Sequence, residues 1–302
     1  MTDVNNRFAA VDIGTNSVRL LIARLIKQRL VPELRELRIC RLGEGMTRGE
    51  GLQPQAVART LQALQEFNML IQNYRVSQVR TVATSAAREA SNAAFFIDQV
   101  QLQTGLLVDV ISGEEEARLS YMGACRALPG VHRGTVVDIG GGSTEITFPS
   151  GAKRQEILAS HSIPLGAVRL TEQPLLLPEI LAKFKPALDE LKAAGQVSLI
   201  GVGGTITTLA AVDQALQVYD PERIHGYRLS RAAVERILFF LAAKTNEERK
   251  QIAGLQPERA DIIVAGVTML WAILSFLQAE QITVSEADIL DGIILANFGS
   301  QQ

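Results

Sequence analysis

The sequence predicts an α/β protein in which one folding unit is built twice. A glycine-turned hairpin occurs in two copies: Val11-Asp12-Ile13-Gly14-Thr15-Asn16-Ser17-Val18-Arg19-Leu20, and Val137-Asp138-Ile139-Gly140-Gly141-Gly142-Ser143-Thr144-Glu145-Ile146. Asp12 answers Asp138, Gly14 answers Gly140 and Ser17 answers Ser143. The order of strand-like and helix-like runs after the first copy recurs after the second. At 302 residues and 47% apolar content the chain is long enough for two domains with cores of their own. The expected boundaries are 1–124 and 125–285, with a tail of about 286–302 packing back on the first domain.

Each element has a reason in the sequence. Phe8–Ile13 and Val18–Leu25 are β-branched and apolar runs around the first turn, and Leu34–Leu42 reads as a third antiparallel strand. Gly43-Glu44-Gly45 and Gly49-Glu50-Gly51 mark a loop. Val57, Leu61, Leu64, Phe67 and Leu70 or Ile71 recur at helical spacing, predicting a helix from Pro54 to Asn73. Val79–Ala83 is a short strand. Thr84 or Ser85 caps a helix that carries Arg88 and runs to Gln103. Leu106–Ile111 is a strand, and Ser112-Gly113 opens a helix over Glu114–Leu128. Three strands, helix, strand, helix, strand is the order of the ribonuclease H-like unit of the actin, sugar kinase and Hsp70 superfamily. After the second hairpin at 135–148 come a strand near Gln155–Ile163, a helix near Pro178–Ala194 and a strand over Val197–Val202. Helices are expected at 230–244 and 246–256. Ile262–Leu277 is uncharged and apolar but shorter than a membrane span of roughly 18 residues, so a buried core helix is expected. The tail reads as a short strand and then a helix over 282–298.

The hairpin turns suit phosphate. Glycines permit positive φ and bring bare N–H groups close to a ligand. Ser143 and Thr144 add hydroxyl donors. Asp138 and Glu145 place carboxylates at the strand mouths, and carboxylates hold Mg²⁺ that bridges phosphate to protein. A single copy would be an ordinary Gly-rich hairpin; two copies suggest loops that hold a polyphosphate chain between two domains. Gly201-Val202-Gly203-Gly204-Thr205 is a third Gly-rich stretch, strand to helix, and offers an anion or ribose-phosphate seat. No Rossmann fingerprint is present. Glu114-Glu115-Glu116 opens a helix. This suits the helix dipole, and successive residues lie about 100° apart around the axis, so one or two can face a cleft. A glutamate there can activate water for attack on a terminal phosphoryl group. Spacing alone does not select which.

Composition narrows the rest. Cys40 and Cys125 fit neither a metal spacing nor a disulfide framework, so a reducing cytoplasm is expected. The N-terminus has no basic-then-apolar segment, so no signal peptide is expected. His132, His161 and His225 are scattered and read as surface or structural. The net charge of −2 announces no basic channel. Arginine outnumbers lysine 23 to 7, which is permissive for phosphate binding and equally a matter of codon bias. Neither a nucleic-acid nor a membrane partner is expected.

The chain resembles the exopolyphosphatase / guanosine pentaphosphate phosphohydrolase (Ppx/GppA) family, in its short two-domain form, along nearly its full length. The matching segments are AAVDIGTNSVRLLIA, RTVATSAAREASN, VISGEEEARLSYMG, VVDIGGGSTEITF, IPLGAVRLTE, LIGVGGTITTLAA, RIHGYRLS and GLQPERADIIVAG. The resemblance implies a two-domain actin-like fold with an active-site cleft between the domains. It also implies Mg²⁺-assisted hydrolytic removal of a terminal phosphate. It places the catalytic glutamate, the one just before Ala-Arg, on Glu116, with Glu115 the second candidate. Asp138 carries over as a second catalytic or metal-positioning acid and Glu145 as a metal ligand. Asp12 is either the counterpart of Asp138 or a structural hairpin residue. Thr15, Asn16 and Ser17, and Gly140, Gly141, Gly142, Ser143 and Thr144, carry over as phosphate loops. Gly203, Gly204 and Thr205 line the third loop, and Arg88 and Arg259 match arginines that contact the phosphate chain.

Two departures accompany this. The sequence stops at Gln302, where longer members continue into a helical module. Ser285-Glu286-Ala287-Asp288-Ile289-Leu290-Asp291-Gly292 also has Leu290 where the family usually has arginine and Asp288 where it has glycine. The first functional expectation is an exopolyphosphatase acting on inorganic polyphosphate, and the alternative is a guanosine pentaphosphate 5′-phosphohydrolase. An ATP- or polyphosphate-dependent kinase or switch, and a non-catalytic polyphosphate binder, are the readings from other classes. A homodimer is compatible with the family.

Overall fold

The computed structural model describes residues 6–27, 29–46, 49–128, 134–149, 158–195 and 198–299. The chain divides into two compact units, Met1–Gly123 with Ile289–Gln302, and Ala124–Asp288. The divisions fall one residue before the expected 124/125 boundary and three after the expected 285/286 one. His132 lies outside the described residues.

The first unit opens with β1 (Arg7–Ile13), β2 (Ser17–Ile26) and β3 (Arg29–Ile39). There follow α1 (Pro54–Asn73), β4 (Gln78–Ala83), α2 (Ser85–Glu89), α3 (Ala93–Thr104), β5 (Val108–Val110) and α4 (Gly113–Ala127), whose last residues fall in the second unit. The sheet order is β3-β2-β1-β4-β5. β1 and β2 are antiparallel, as are β2 and β3, whereas β4 joins β1 in parallel and β5 joins β4 in parallel. This is the ribonuclease H-like arrangement. One face of α1 buries Val57, Leu61, Leu64, Phe67 and Ile71 in a core that also holds Val11, Ile13, Leu20 and Phe96.

Two elements differ from expectation for local reasons. β3 begins at Arg29, not Leu34. Proline is tolerated on an edge strand because it removes no needed donor, and the register shifts where Ala23 pairs with Pro32. The displaced Glu33 is then taken up by Arg7 and Arg24, each at 2.5 Å. The long helix expected to reach Gln103 is broken into α2 and α3. Asn92 causes the break: its side chain accepts from Leu52 N–H at 2.7 Å and donates to Leu52 C=O at 3.1 Å. This two-bond clasp to a segment 40 residues away holds Asn92 in place and competes with helix continuation.

The second unit contains β6 (Thr135–Ile139), β7 (Thr144–Pro149), β8 (Leu158–Ile163), α5 (Ala167–Glu172), α6 (Leu177–Ala193), β9 (Leu199–Val202) and α7 (Gly204–Asp213). It continues with α8 (Pro221–Ile224), β10 (Arg228–Ser230), α9 (Arg231–Ala242), α10 (Asn246–Arg249), a 3₁₀ turn at Pro257–Arg259, α11 (Ile263–Leu277) and β11 (Gln281–Val284). Its sheet order is β10-β11-β9-β6-β7-β8. Read from β8 to β11, this repeats the first sheet in order and direction, with β10 added antiparallel at the edge. The helix expected over 246–256 stops at Arg249. Gly254, at φ 84°, turns the chain so closely onto Ala211 that a Cβ would stand 2.4 Å from its carbonyl.

α11 buries Ile263, Val267, Leu270, Ile273 and Leu274 in the core of the second unit, as expected for an apolar helix of its length. Among the described residues no helix is long and apolar enough to cross a membrane. The chain closes with α12 (Ile289–Phe298), which belongs to the first unit. Leu290, Ile293 and Ile294 pack there with Phe8, Leu21 and Leu119, and Phe298 stacks on Phe8 with ring centroids 4.6 Å apart. Leu290, where the family pattern has arginine, is therefore a core residue. Its neighbour Asp291 accepts from Arg35 at 2.8 and 2.9 Å.

Candidate active site

The two hairpin turns are built alike. Gly14 N–H donates to Ser17 C=O at 3.0 Å, and Gly140 N–H to Ser143 C=O at 3.0 Å. A Cβ on either glycine would stand 3.1 Å from that serine carbonyl, so the tight turn favours glycine. Each turn is held from behind by the segment that follows the third strand. Thr15 C=O accepts from Gly43 N–H, and Asn16 C=O accepts from Cys40 and Arg41. In the second unit Gly140 C=O accepts from Ala167, and Gly141 C=O accepts from Val168 and Arg169. Among the described residues the backbone N–H groups of Thr15, Asn16, Gly141 and Gly142 enter no backbone hydrogen bond.

The side chains of the first turn add to this. Thr15 and Asn16 are 8% and 6% exposed. Thr15 Oγ1 and both amide atoms of Asn16 are buried with no hydrogen-bond partner among the described residues. Unpaired buried polar groups cost about 1–3 kcal/mol each. Ser17 and Ser143 supply the carbonyls that close their turns. Thr144 behaves differently from the expectation of a phosphate donor: its Oγ1 donates to Leu165 C=O at 2.6 Å and anchors the turn.

At the strand mouths the duplicated hairpins diverge. Asp12 is paired across the strands with Arg19, whose Nη2 and Nε lie 2.6 and 3.0 Å from Asp12 Oδ2. In the equivalent register Asp138 is paired with Glu145. Glu145 is 2% exposed and accepts at Oε1 from Ser162 Oγ at 2.7 Å. Residues directly opposite across an antiparallel pair share a face with Cβ atoms roughly 5 Å apart. The opposed carboxylates suit Mg²⁺, which takes one or two protein carboxylates and completes its shell with water and phosphate oxygens. Among the described residues no group of three or more His, Cys, Asp or Glu side chains gathers as a full protein cage, and Mg²⁺ requires none.

The three glutamates at the start of α4 are sorted by their partners. Glu114 is exposed. Glu115 accepts from Arg80 Nη2 at 2.7 Å. Glu116 accepts at Oε2 from Arg88 Nη1 at 2.9 Å, and the same nitrogen reaches Ile111 C=O at 2.9 Å. The structure therefore brings together Glu116 and Arg88, two sequence candidates, and gives Glu115 to the Arg80 network with Asp109 and Asn297.

The third glycine stretch holds the remaining candidates. Gly203, at φ 86°, backs onto Asp138, so a Cβ would stand 2.7 Å from Asp138 Oδ1. The guanidinium of Arg259 lies on Gly204, where a Cβ would stand 2.1 Å from Nη1. Arg259 is 9% exposed, and its Nε donates to Gln256 at 2.8 Å. Thr205 instead turns its side chain onto Gly266 of α11 and is a packing residue. His225 is structural: its Nδ1 accepts from Glu286 N–H, and its Nε2 faces Ala127 C=O. Sequence reasoning did not single out Arg19, Ser162 or Gly166, although Arg19 and Gly166 lie inside quoted motifs. Their signal was register, not residue type.

A model of the Ppx/GppA phosphatase family matches residues 21–301. The chain is 37% identical over 319 residues to exopolyphosphatase 2 of Mycobacterium tuberculosis, covering 97% of this chain and 99% of that protein. The crystal structure of an exopolyphosphatase from Cytophaga hutchinsonii matches with a TM-score of 0.86 at 28% identity, covering 96% and 97% of the two chains. The Aquifex aeolicus Ppx/GppA family member matches with a TM-score of 0.77 at 33% identity, covering 98% of each chain. Matched by the family model over residues 21–301 and by an exopolyphosphatase at 37% identity over nearly its whole length, the chain belongs to the Ppx/GppA phosphatase family.

Proposed function

We propose that the protein is a Mg²⁺-dependent exopolyphosphatase that hydrolyses the terminal phosphate of inorganic polyphosphate. The single observation that carries this reading is the duplicated turn, in each copy of which two backbone N–H groups enter no backbone hydrogen bond among the described residues. The similarity to exopolyphosphatase 2 supports the same reaction.

In this reading the N–H groups of Thr15, Asn16, Gly141 and Gly142 bind non-bridging phosphate oxygens, and Arg88 and Arg259 add charge-assisted donors. Asp138 and Glu145 hold Mg²⁺. Bound there, Mg²⁺ supplies charge neutralisation to phosphoryl oxygens. Glu116 Oε accepts a proton from the attacking water, and Arg88 fixes the carboxylate's orientation. Ser162 holds Glu145 toward Asp138. The attacking oxygen forms the new P–O bond as the bond to the bridging oxygen breaks, and the shortened chain leaves with the electron pair.

Phosphate release from long-chain polyphosphate and from guanosine pentaphosphate, with Mg²⁺, tests the reading when wild type and Glu116→Gln are run side by side. Release from polyphosphate that is lost in the variant is the expected result. Release mainly from the guanosine substrate would move the function to that nucleotide. Release from neither by folded protein would overturn the hydrolase reading.

A further inference from the structure

Two arginines hold the first turn of α4 from two sides. Arg88, on α2, bonds Glu116 through Nη1 at 2.9 Å. Arg80, on β4, bonds the preceding residue, Glu115, through Nη2 at 2.7 Å. Neighbouring helical residues point about 100° apart, so either contact alone leaves the turn a pivot, and the two together fix its rotation. We propose that Arg80 is a positioning residue for Glu116: through Glu115 it sets the rotation of the start of α4 about its axis and so aims the Glu116 carboxylate. That Glu116 is the base rests on the proposed function; that Arg80 fixes the turn carrying it does not.

Arg80 stands on a firm support. β4 lies inside its sheet, between β1 and β5. Side chains two apart on a strand share a face, so Arg80 lies on the face of Val82, which packs with Leu119 of α4 and Ile293 of α12. Only 18% of the Arg80 side chain is exposed, and its three nitrogens reach three elements. Nε lies 3.2 Å from Asp109 Oδ2 on β5, and Nη1 lies 3.2 Å from Asn297 Oδ1 on α12. Asn297 is itself held, because its Nδ2 donates to Ile293 C=O at 2.6 Å. A planar guanidinium donates in fixed directions. With strand and α12 setting its plane, the branch toward α4 places Glu115 and does not follow it. The Asp109 carboxylate is 62% exposed, against 35% for Glu115, and exposed ion pairs contribute little.

The test compares kcat, KM and amide exchange in the first turn of α4 across variants of the full chain. Glu115→Ala removes the contact and is expected to lower kcat on the order of 10-fold, short of the roughly 10²-fold that a 1 Å misplacement can cost. KM should stay near that of wild type, because no substrate contact is lost. Glu115→Gln keeps an acceptor for Nη2 and is expected to keep most of kcat. Arg80→Ala is expected to match Glu115→Ala, and the double variant to fall no further, since the pair acts as one unit. Asp109→Ala removes an Arg80 partner outside α4 and is expected to keep the wild-type kcat. Exchange at the amides of Glu116 and Ala117 should quicken in Glu115→Ala and not in Asp109→Ala. A wild-type kcat or unchanged exchange in Glu115→Ala would overturn the inference. So would additive losses in the double variant, or an equal loss in Glu115→Gln or Asp109→Ala. If Arg80→Ala fails to fold, the two Glu115 variants decide. If wild type releases phosphate from neither polyphosphate nor guanosine pentaphosphate, the proposed function falls and exchange alone decides whether Arg80 positions α4.

Discussion

Arg88 holds Glu116 and the chain at Ile111 with one nitrogen: Nη1 lies 2.9 Å from Glu116 Oε2 and 2.9 Å from Ile111 C=O. The first turn of α4 is thereby tied to α2, and the Glu116 carboxylate is oriented by a contact that its neighbours Glu114 and Glu115 lack. Glutamine at 116 keeps the size and an acceptor for Arg88 but cannot take a proton. Glu116→Gln should lose about 10²–10⁴-fold in kcat, the typical contribution of general base catalysis. Its unfolding midpoint should stay near that of wild type. A kcat within threefold of wild type would remove Glu116 from the base role.

Ser162 Oγ donates to Glu145 Oε1 at 2.7 Å, the kind of outer contact that aims a ligating carboxylate. Losing such a partner costs about 10–100-fold in metal affinity. Ser162→Ala should therefore raise the Mg²⁺ concentration needed for half-maximal activity, while kcat at saturating Mg²⁺ is largely kept. Ser162→Thr, which keeps the hydroxyl, should restore most of the affinity. Equal Mg²⁺ dependence in wild type and Ser162→Ala would show that Glu145 needs no such support.

Much of this was legible in the residues. The two Asp-Ile-Gly turns gave the duplication, and the helix over Pro54–Asn73 emerged with the bounds its apolar spacing predicted. What stayed hidden was set by pairing across the chain. Nothing local says that Asn92 will clasp Leu52 and split a helix, or that Pro32 sits on an edge where a strand tolerates it. The short elements α5 and β10, six and three residues long, give too few positions for any periodicity. At the site, sequence supplied the candidates and register sorted them. Glu115 was excluded from Arg88 by Arg80, Thr144 was spent on Leu165, and Thr205 was turned into α11.

Two glycines behind the site differ in what surrounds them. A Cβ at position 166 would stand 2.4 Å from the backbone of Gly141, and backbone cannot move aside cheaply. Gly166→Ala should cost about 1–3 kcal/mol, as overpacking does, and should also distort the second phosphate turn, lowering both stability and activity. At position 204 the obstacle is the end of the Arg259 side chain. Gly204→Ala should spare stability, displace the guanidinium and act mainly on KM. Thermal unfolding beside steady-state kinetics on the two variants separates these outcomes; equal stability losses would contradict the distinction.

Gly292 tests the placement of α12. A Cβ there would stand 1.9 Å from Leu119 C=O, so α12 approaches α4 through a bare backbone. Gly292→Ala should push the helix off its seat and loosen the contacts of Leu290, Ile293 and Phe298 with Phe8 and Leu119. A loss of about 2–4 kcal/mol is expected, in the range of large core disruptions. Hydrogen exchange should quicken in α12 and along β1. Unchanged protection in both would mean that α12 accommodates a methyl group at that contact.

The Tyr227 hydroxyl donates to Asp213 at 2.7 Å, and Arg236 bonds the same carboxylate at 2.5 Å. Burial, and then the hydrogen bond and charge of Asp213, push the Tyr227 phenol up from 10.0 to about 12. Raising the pKa of an acid in the folded state means that folding favours its protonated form. This contribution is complete below pH 10, declines as pH rises from about 10 to about 12, and is gone above that range. Denaturant midpoints measured across pH 8 to 12 should fall over the upper half of the range. In Tyr227→Phe, which has no proton to lose, the alkaline fall should be shallower than in wild type and the neutral midpoint lower, because Asp213 loses one donor. Parallel curves for the two proteins would show that this pair does not govern alkaline stability.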